Sequence, residues 1–388
     1  MRSVTTILYP FGLLLLSLLM AVELYADEGS KVLSTSKKEH YSTSPTGGML
    51  YRISPDARGA ALGSLGVATT PDAFSLHYNM SKLAFTSKRG GVAFGFTPWM
   101  DHIVKDMNIS NLFGYFSWGQ QQVWQHAVSG AIRYFSMGKM HVLPANSIES
   151  FEVQPYELSV DAGYALRYGK HWAAGISMKY LKSDYNSYDG GDIRVAHNLL
   201  FDLSLTYQTA LSFERFDRPS MLRAGVALNN IGNKVIIQRG VKHFPPPIML
   251  RLGVGMELPV AAEHQVSLYA ESNSLLVPPL PSTNSRNYKE ELQQYLGESV
   301  AEGLFRSQPS HLWKQTALSI GAEYMYQELF YGRLGYKMQK AQYRADSGLS
   351  IGGGLRYKGS WLDLGYFIAR DADSPLNSMF RFDIGIGF

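Results

Sequence analysis

From residue 90 to residue 388 the chain returns again and again to one pattern: apolar side chains at every second position, with glycine, serine or a charge between them. Leu222, Ala224, Val226 and Leu228 interleave with Arg223, Gly225 and Asn229. Leu318, Ile320, Ala322 and Tyr324 interleave with Ser319, Gly321 and Glu323. The last stretch sets Phe380, Phe382, Ile384, Ile386 and Phe388 against Arg381, Asp383, Gly385 and Gly387. A period of two places the two sets on opposite faces of a β-strand. In water a sheet with one wholly apolar exposed face would template aggregation. In a bilayer that face meets lipid and the other lines a lumen.

Fourteen segments qualify as strands: 90–98, 110–118, 123–136, 153–168, 171–183, 194–208, 220–230, 247–258, 265–273, 315–326, 329–338, 348–357, 361–370 and 378–388. About ten tilted residues cover the ~25 Å lipid-facing band. The connections alternate in length. Gly169-Lys170, Pro259–Glu263, Gln327-Glu328 and Gly359-Ser360 are tight, whereas 137–152, 184–193, 231–246 and 274–314 are long. Short on one side and long on the other is the habit of outer-membrane barrels, although 209–219 is long for the short side. The expected fold is therefore an all-β membrane protein, a fourteen-stranded antiparallel transmembrane β-barrel. Trp118, Trp124, Trp172 and Trp361 flank short turns, and Trp99 and Trp313 flank long loops. Their positions suggest two interfacial girdles, where an amphipathic ring prefers to sit. Phe388 reads as the aromatic signal that such barrels present to their insertion machinery.

Arg2 precedes an apolar run from Ile7 to Val22, the length of a signal-peptide core and short for a helical span. The expected organisation is a signal peptide over 1–26, a flexible periplasmic segment over 27–50, a hatch over 51–89 and a barrel over 90–388. The chain has no Cys, which excludes disulfides, thiol catalysis and Cys-ligated metals. A net charge of +4 spread along the chain does not point to nucleic acid. The ten His show no metal-ligand spacing, and Asp184, Asp189 and Asp192 read as a Gly-rich turn. His126 and Ser129 fall on opposite strand faces, and no Gly-x-Ser-x-Gly elbow is present. No catalytic residue, metal or cofactor is expected. Inward charges such as Arg223, Arg251, Glu257, Glu323, Arg356, Asp363, Arg381 and Asp383 are expected to hydrate and cross-link the lumen.

Two loops carry partner-binding candidates. In 274–314, a Pro-stiffened start leads to Leu292, Tyr295, Leu296, Val300 and Leu304 at three-to-four spacing. That spacing predicts an amphipathic helix over 288–304, with Asn287 and Glu290 as a capping box. In 231–247, Lys234, Arg239, Lys242 and Phe244 precede three prolines and suit an acidic or phosphate-bearing partner.

Residues 55–85 are too Gly-rich and irregular for barrel wall. Gly59–Ala68, Asp72 and the Asn79-Met80-Ser81-Lys82-Leu83 block resemble the N-terminal hatch of the FadL family, with Met80-Ser81 where that family carries Pro-Ala. A narrower resemblance, to the PorV family of FadL-like barrels of the type IX secretion system of Bacteroidota, rests on Ser54–Arg58, Leu65–Asp72, Ser81–Thr86 and Phe96–Trp99. It implies a small plug inside the lumen, shaped by Arg58, Gly59, Gly63, Gly66, Asp72 and Asn79. It implies an integral outer-membrane protein with loops at the cell surface. Such a barrel binds the C-terminal sorting domains of secreted cargo beside the translocon barrel. It then passes them to a surface complex with a sortase-like peptidase, close to outer-membrane lipid and lipopolysaccharide. The alternatives are a FadL-like channel for small hydrophobic molecules and a lipopolysaccharide-modifying protein.

Overall fold

A computed structural model describes residues 46–100, 106–120, 123–142, 150–185, 195–238, 242–278, 281, 285–306, 315–339, 347–371, 374 and 376–388. The strands are β1 (Gly90–Pro98), β2 (Met107–Gln120), β3 (Trp124–Met137), β4 (Met140–Val142), β5 (Phe151–Val153), β6 (Tyr156–Tyr168), β7 (Trp172–Asp184), β8 (Ala196–Leu211) and β9 (Ser220–Gly232). They continue with β10 (Val235–Gln238), β11 (Lys242–Phe244), β12 (Met249–Ala261), β13 (His264–Leu275), β14 (Thr316–Tyr326), β15 (Phe330–Gln339), β16 (Gly348–Tyr357), β17 (Ser360–Ala369) and β18 (Met379–Gly387). The pairs β4–β5 and β10–β11 are small hairpins in the long loops, and the other fourteen strands close into an antiparallel barrel. Closure joins β1 to β18 from Gly91↔Gly387 to Phe96↔Phe382.

The alternation sets the outer surface. Val92, Phe94, Leu112, Phe116, Ile132, Ile176, Leu203, Leu334, Ile351, Leu364 and Ile384 are all exposed on it. Aromatic pairs ring it near the short turns: Trp118 stacks on His126, Trp124 meets Tyr168 and Trp172 meets Tyr207. His126 bonds the Tyr164 hydroxyl at 2.7 Å, and His264 bonds that of Tyr324 at 2.7 Å. A closed barrel with an apolar, aromatic-edged outside is an outer-membrane architecture.

Two of the girdle tryptophans belong elsewhere. Trp99 is 6% exposed and packs edge-on to Phe135 beside Leu50 and Ile53. Trp361 points into the lumen, where Lys88 lies over its ring and Gly385 makes room for it. The reason is phase. Position 361 alternates with outward Leu362 and Leu364, and position 99 follows inward Ala93 and Thr97. Trp118, Trp124 and Trp172 have the outward phase; Trp313 lies outside the described residues.

Residues 46–89 run inside the barrel. They form a 3-10 turn (Met49–Arg52), short helices at Ala57–Ala61 and Ser75–Tyr78, and a second 3-10 stretch (Met80–Phe85). Of the segment expected to be flexible and periplasmic over 27–50, the described residues 46–50 lie at the opposite end. Gly47 donates to the Pro245 carbonyl and packs on Val235, and Leu50 donates to Glu157, all on the long-loop side. β1 begins at the short-turn side, so residues 46–89 cross the full height of the lumen.

Candidate functional site

The plug contains little regular structure, so its backbone groups need partners from outside it. The inward face of the wall supplies them. Carboxylates accept the N–H groups: Glu157 from Met49 and Leu50 (3.2 and 2.8 Å), Glu271 from Gly66 and Val67 (2.7 and 2.8 Å), and Asp383 from Ala57. Donors reach the carbonyls: Arg133 to Leu50 and Ile53 (2.9 and 3.1 Å), Asn111 to Pro55 (3.0 Å) and Ser319 to Gly63 (2.7 Å). Hydrogen bonds to charged groups are about twice as strong as neutral ones, so these inward charges do more than hydrate a lumen.

Wall glycines let the plug come this close. A Cβ on Gly335 would stand 2.2 Å from the Leu62–Gly63 backbone, and one on Gly175 would stand 2.6 Å from Ser81 N. Similar additions would strike Val67 from Gly225 and Ala57 from Gly365, each at 2.7 Å. The glycine-rich inward faces are thus the imprint of the plug.

At the centre lies a chain of buried charges. Arg58 donates from Nε and Nη2 to both oxygens of Glu323 (3.0 and 2.8 Å) and from Nη1 to Asp72 (3.0 Å). Glu323 also accepts Arg333 Nε at 2.6 Å; Arg333 reaches Asp363 at 2.7 Å, and Asp363 receives Arg356 at 2.9 and 2.7 Å. Burial is nearly complete: Arg58 is 8% exposed, Glu323 5% and Arg333 5%. Neighbouring Glu323 raises the Arg58 guanidinium pKa despite the desolvation that opposes it.

The other expected plug residues are placed around this centre. Asp56 caps the Ala57–Ala61 helix through Gly59 N at 2.6 Å, and Gly59 and Gly66 leave room for Tyr78, whose hydroxyl bonds Asp56 at 2.7 Å. Gly63, at φ +84, turns against the Tyr336 backbone. Asn79, fully buried, bridges the Val67 carbonyl and Thr206 (both 2.9 Å) and accepts Ser81 N at 3.0 Å. Lys82, also buried, donates to the Gly66 carbonyl and Thr69 Oγ1 (2.6 and 2.7 Å); desolvation lowers its pKa to about 8.

At the long-loop end the two candidate partner loops meet. Lys234 Nζ lies 4.4 Å from the centre of the Tyr295 ring and donates to the Tyr295 carbonyl. Tyr295 and Val300 are buried and Leu292 and Leu296 half-buried, so much of the expected apolar face is used within the loop. The helix expected over 288–304 is two, Tyr288–Gly297 and Val300–Arg306. Asn287 makes no side-chain cap. The reciprocal cap is Ser299–Glu302, with Ser299 N to Glu302 at 2.7 Å and Glu302 N to Ser299 Oγ at 3.2 Å. Extended Glu298 ends the first helix, and this cap starts the second. The second helix turns Phe305 outward, 93% exposed, a residue the helical spacing did not single out. Phe244 packs beside Ala196 and Val235; Lys242 is on β11, and Arg239 lies outside the described residues. Among the described residues no group of three or more His, Cys, Asp or Glu is arranged to hold a metal.

Comparison with solved structures returns barrels of distant sequence. The Ralstonia pickettii toluene transporter TbuX is 13% identical, with 86% of this chain and 97% of that one covered at a TM-score of 0.44. The Pseudomonas putida toluene transporter TodX is 14% identical, with 85% and 96% covered at 0.45. The CymD monoaromatic hydrocarbon channel is 11% identical, with 86% and 95% covered at 0.43. No curated protein sequence matches. A family model described as type IX secretion system protein PorV matches residues 36–282, which take in the plug, its wall partners through Glu271 and well over half of the chain. On that match the chain belongs to the PorV family.

Proposed function

We propose that this barrel binds the C-terminal sorting domains of secreted cargo beside a translocon barrel and carries them to a sortase-like surface complex. The observation that supports this reading most directly is the PorV match over residues 36–282. The geometry agrees with it. Long loops of outer-membrane barrels face outward, so Phe305 and the Lys234–Tyr295 contact would stand at the cell surface. An isolated, almost fully exposed Phe on a capped helix suits an anchor in a partner's pocket. The reading as a channel for hydrophobic molecules needs a path past the plug. A plug held by Arg58, Glu157, Glu271 and Asp383 would have to leave its bonds first. A lipopolysaccharide-modifying reading needs a nucleophile beside a base, and Ser129 bonds the Gly114 carbonyl while His126 bonds Tyr164 on the other face.

Copurification from mild detergent tests the proposal. Wild type should recover exported proteins that share a C-terminal domain. Phe305→Ser should lose most of them while keeping a folded barrel. Recovery of lipid and no exported protein by the wild type would refute it.

A further inference from the structure

On the long-loop side of the plug lies a cavity of about 50 Å³. Its wall carries Arg52, His77, Arg251 and Lys337, with Ser64 and Asn273, and among the described residues it contains no carboxylate. By a water-sized measure this is room for about four waters, or one oxyanion.

Arg251 makes the case. It is 3% exposed, and a guanidinium brings five N–H donors. Among the described residues Nη2 hydrogen-bonds only the Met249 thioether, at 3.5 Å, and a thioether is a weak acceptor. Nη1 forms a long ion pair with Glu271 Oε1 at 3.6 Å, beyond hydrogen-bond reach, and Nε has no hydrogen-bond partner among the described residues. Glu271 is held back because its other oxygen accepts Gly66 and Val67 of the plug. Two other buried arginines of the lumen are treated differently: Arg58 meets two carboxylates, and Arg133 two carbonyls and an amide. A buried guanidinium whose one ion pair is too long for a hydrogen bond leaves its N–H donors unmet, and an oxyanion would accept them.

Its neighbours are suitable. Asn273 faces Arg251 in the strand register, and its side-chain oxygen is also unpartnered. Turning that amide would aim N–H groups at the cavity. His77 accepts Arg133 at Nδ1 (3.1 Å), which leaves its proton on Nε2 as a donor. Burial and the charges of Arg133 and Arg251 hold that ring neutral, so it offers a hydrogen bond without a charge.

We propose that this cavity binds one phosphate-type oxyanion, gripped by Arg251 and balanced by Lys337 and Arg52. The test is titration calorimetry on the full-length barrel in non-ionic detergent at low salt. One arm uses inorganic phosphate and the other dihexanoyl phosphatidic acid. Saturable one-to-one binding is expected, weakened about tenfold or more by Arg251→Gln. Lys337→Gln should weaken it about threefold or more, by loss of charge alone. Lys139→Gln, in an exposed loop ion pair with Glu152, should leave it unchanged. Because Arg251 also packs on the Tyr78 ring, the heat-modifiable gel band checks that Arg251→Gln is folded; Lys337→Gln makes the same test without touching that contact. Tighter binding of the phosphatidate assigns the oxyanion to a lipid headgroup, and equal binding assigns it to free phosphate. No saturable binding in either arm, or binding that both variants leave intact, overturns the proposal.

Discussion

Glu323→Gln goes to the centre of the lock. The substitution keeps the shape of the side chain and removes its charge, so Arg58 and Arg333 lose a carboxylate that accepts three bonds at 3.0, 2.8 and 2.6 Å. A charge-assisted bond exceeds a neutral one by about 1 kcal/mol, which gives about 3 kcal/mol for the three. That agrees with the lower end of what breaking a buried ion pair costs. The Arg333 bond runs from wall to wall and Arg333 keeps Asp363, so the part that bears on plug release is the two bonds from Arg58, about 2 kcal/mol. The chain has no Cys, so a single Ala60→Cys, at a position 4% exposed, reports plug opening by its rate of thiol labelling. When opening is fast relative to labelling, that rate follows the open population. A loss of about 2 kcal/mol then raises it on the order of 30-fold. The barrel should still run as a folded, heat-modifiable band. Labelling within about threefold of the parent, with the barrel folded, would refute the assignment of Arg58–Glu323 as the main fastening.

Lys82 makes the plug sensitive to alkaline pH. With its pKa lowered to about 8 in place and about 10.5 when the plug is out, the released state binds more protons between those values. Plug opening should therefore slow as pH rises from 8 to 9, by up to about tenfold over that unit, and Lys82→Met should flatten that slope. Tyr51 and Tyr78, both raised by burial, give up their protons only when the plug is out, so they work against this slope as pH nears 10. Gly335→Val would press on the Leu62–Gly63 backbone, and should unseat the plug as Glu323→Gln does while the barrel still closes. Single-Trp variants in brominated lipid should show quenching at Trp118, Trp124 and Trp172, and little at Trp99 and Trp361.

The barrel was legible because its wall is written residue by residue. Alternation marks each strand, and connection length marks each end; the segments expected at 90–98 and 348–357 are β1 and β16 to the residue. The two misplaced tryptophans show the cost of reading position without phase, since the parity of Leu362 and Leu364 already sends Trp361 inward. Asn287 and Glu290 have the spacing of a cap, but Ser299 and Glu302 have it too, and local sequence does not decide between them. The plug lock was beyond reach for a different reason. Arg58 finds Glu323 across 265 positions, and Ala57 finds Asp383 across 326. Pairings of that kind are fixed only when the sheet closes. Inward carboxylates could be recognised as such, but not which backbone groups they hold.

The carboxylate that fastens Arg58 has a second consequence. Glu323, Arg333, Arg356 and Asp363 stand on β14, β15, β16 and β17, four consecutive staves of the wall. The plug is therefore tied to a brace that also stiffens more than a quarter of the circumference. Pulling Arg58 away leaves Glu323 and Asp363 to Arg333 and Arg356 alone, so the brace redraws its bonds. The cross-section of the barrel at this quadrant and the occupancy of its lumen are then one mechanical variable, and a protein clasping the outside of β14–β17 would feel whether the inside is full.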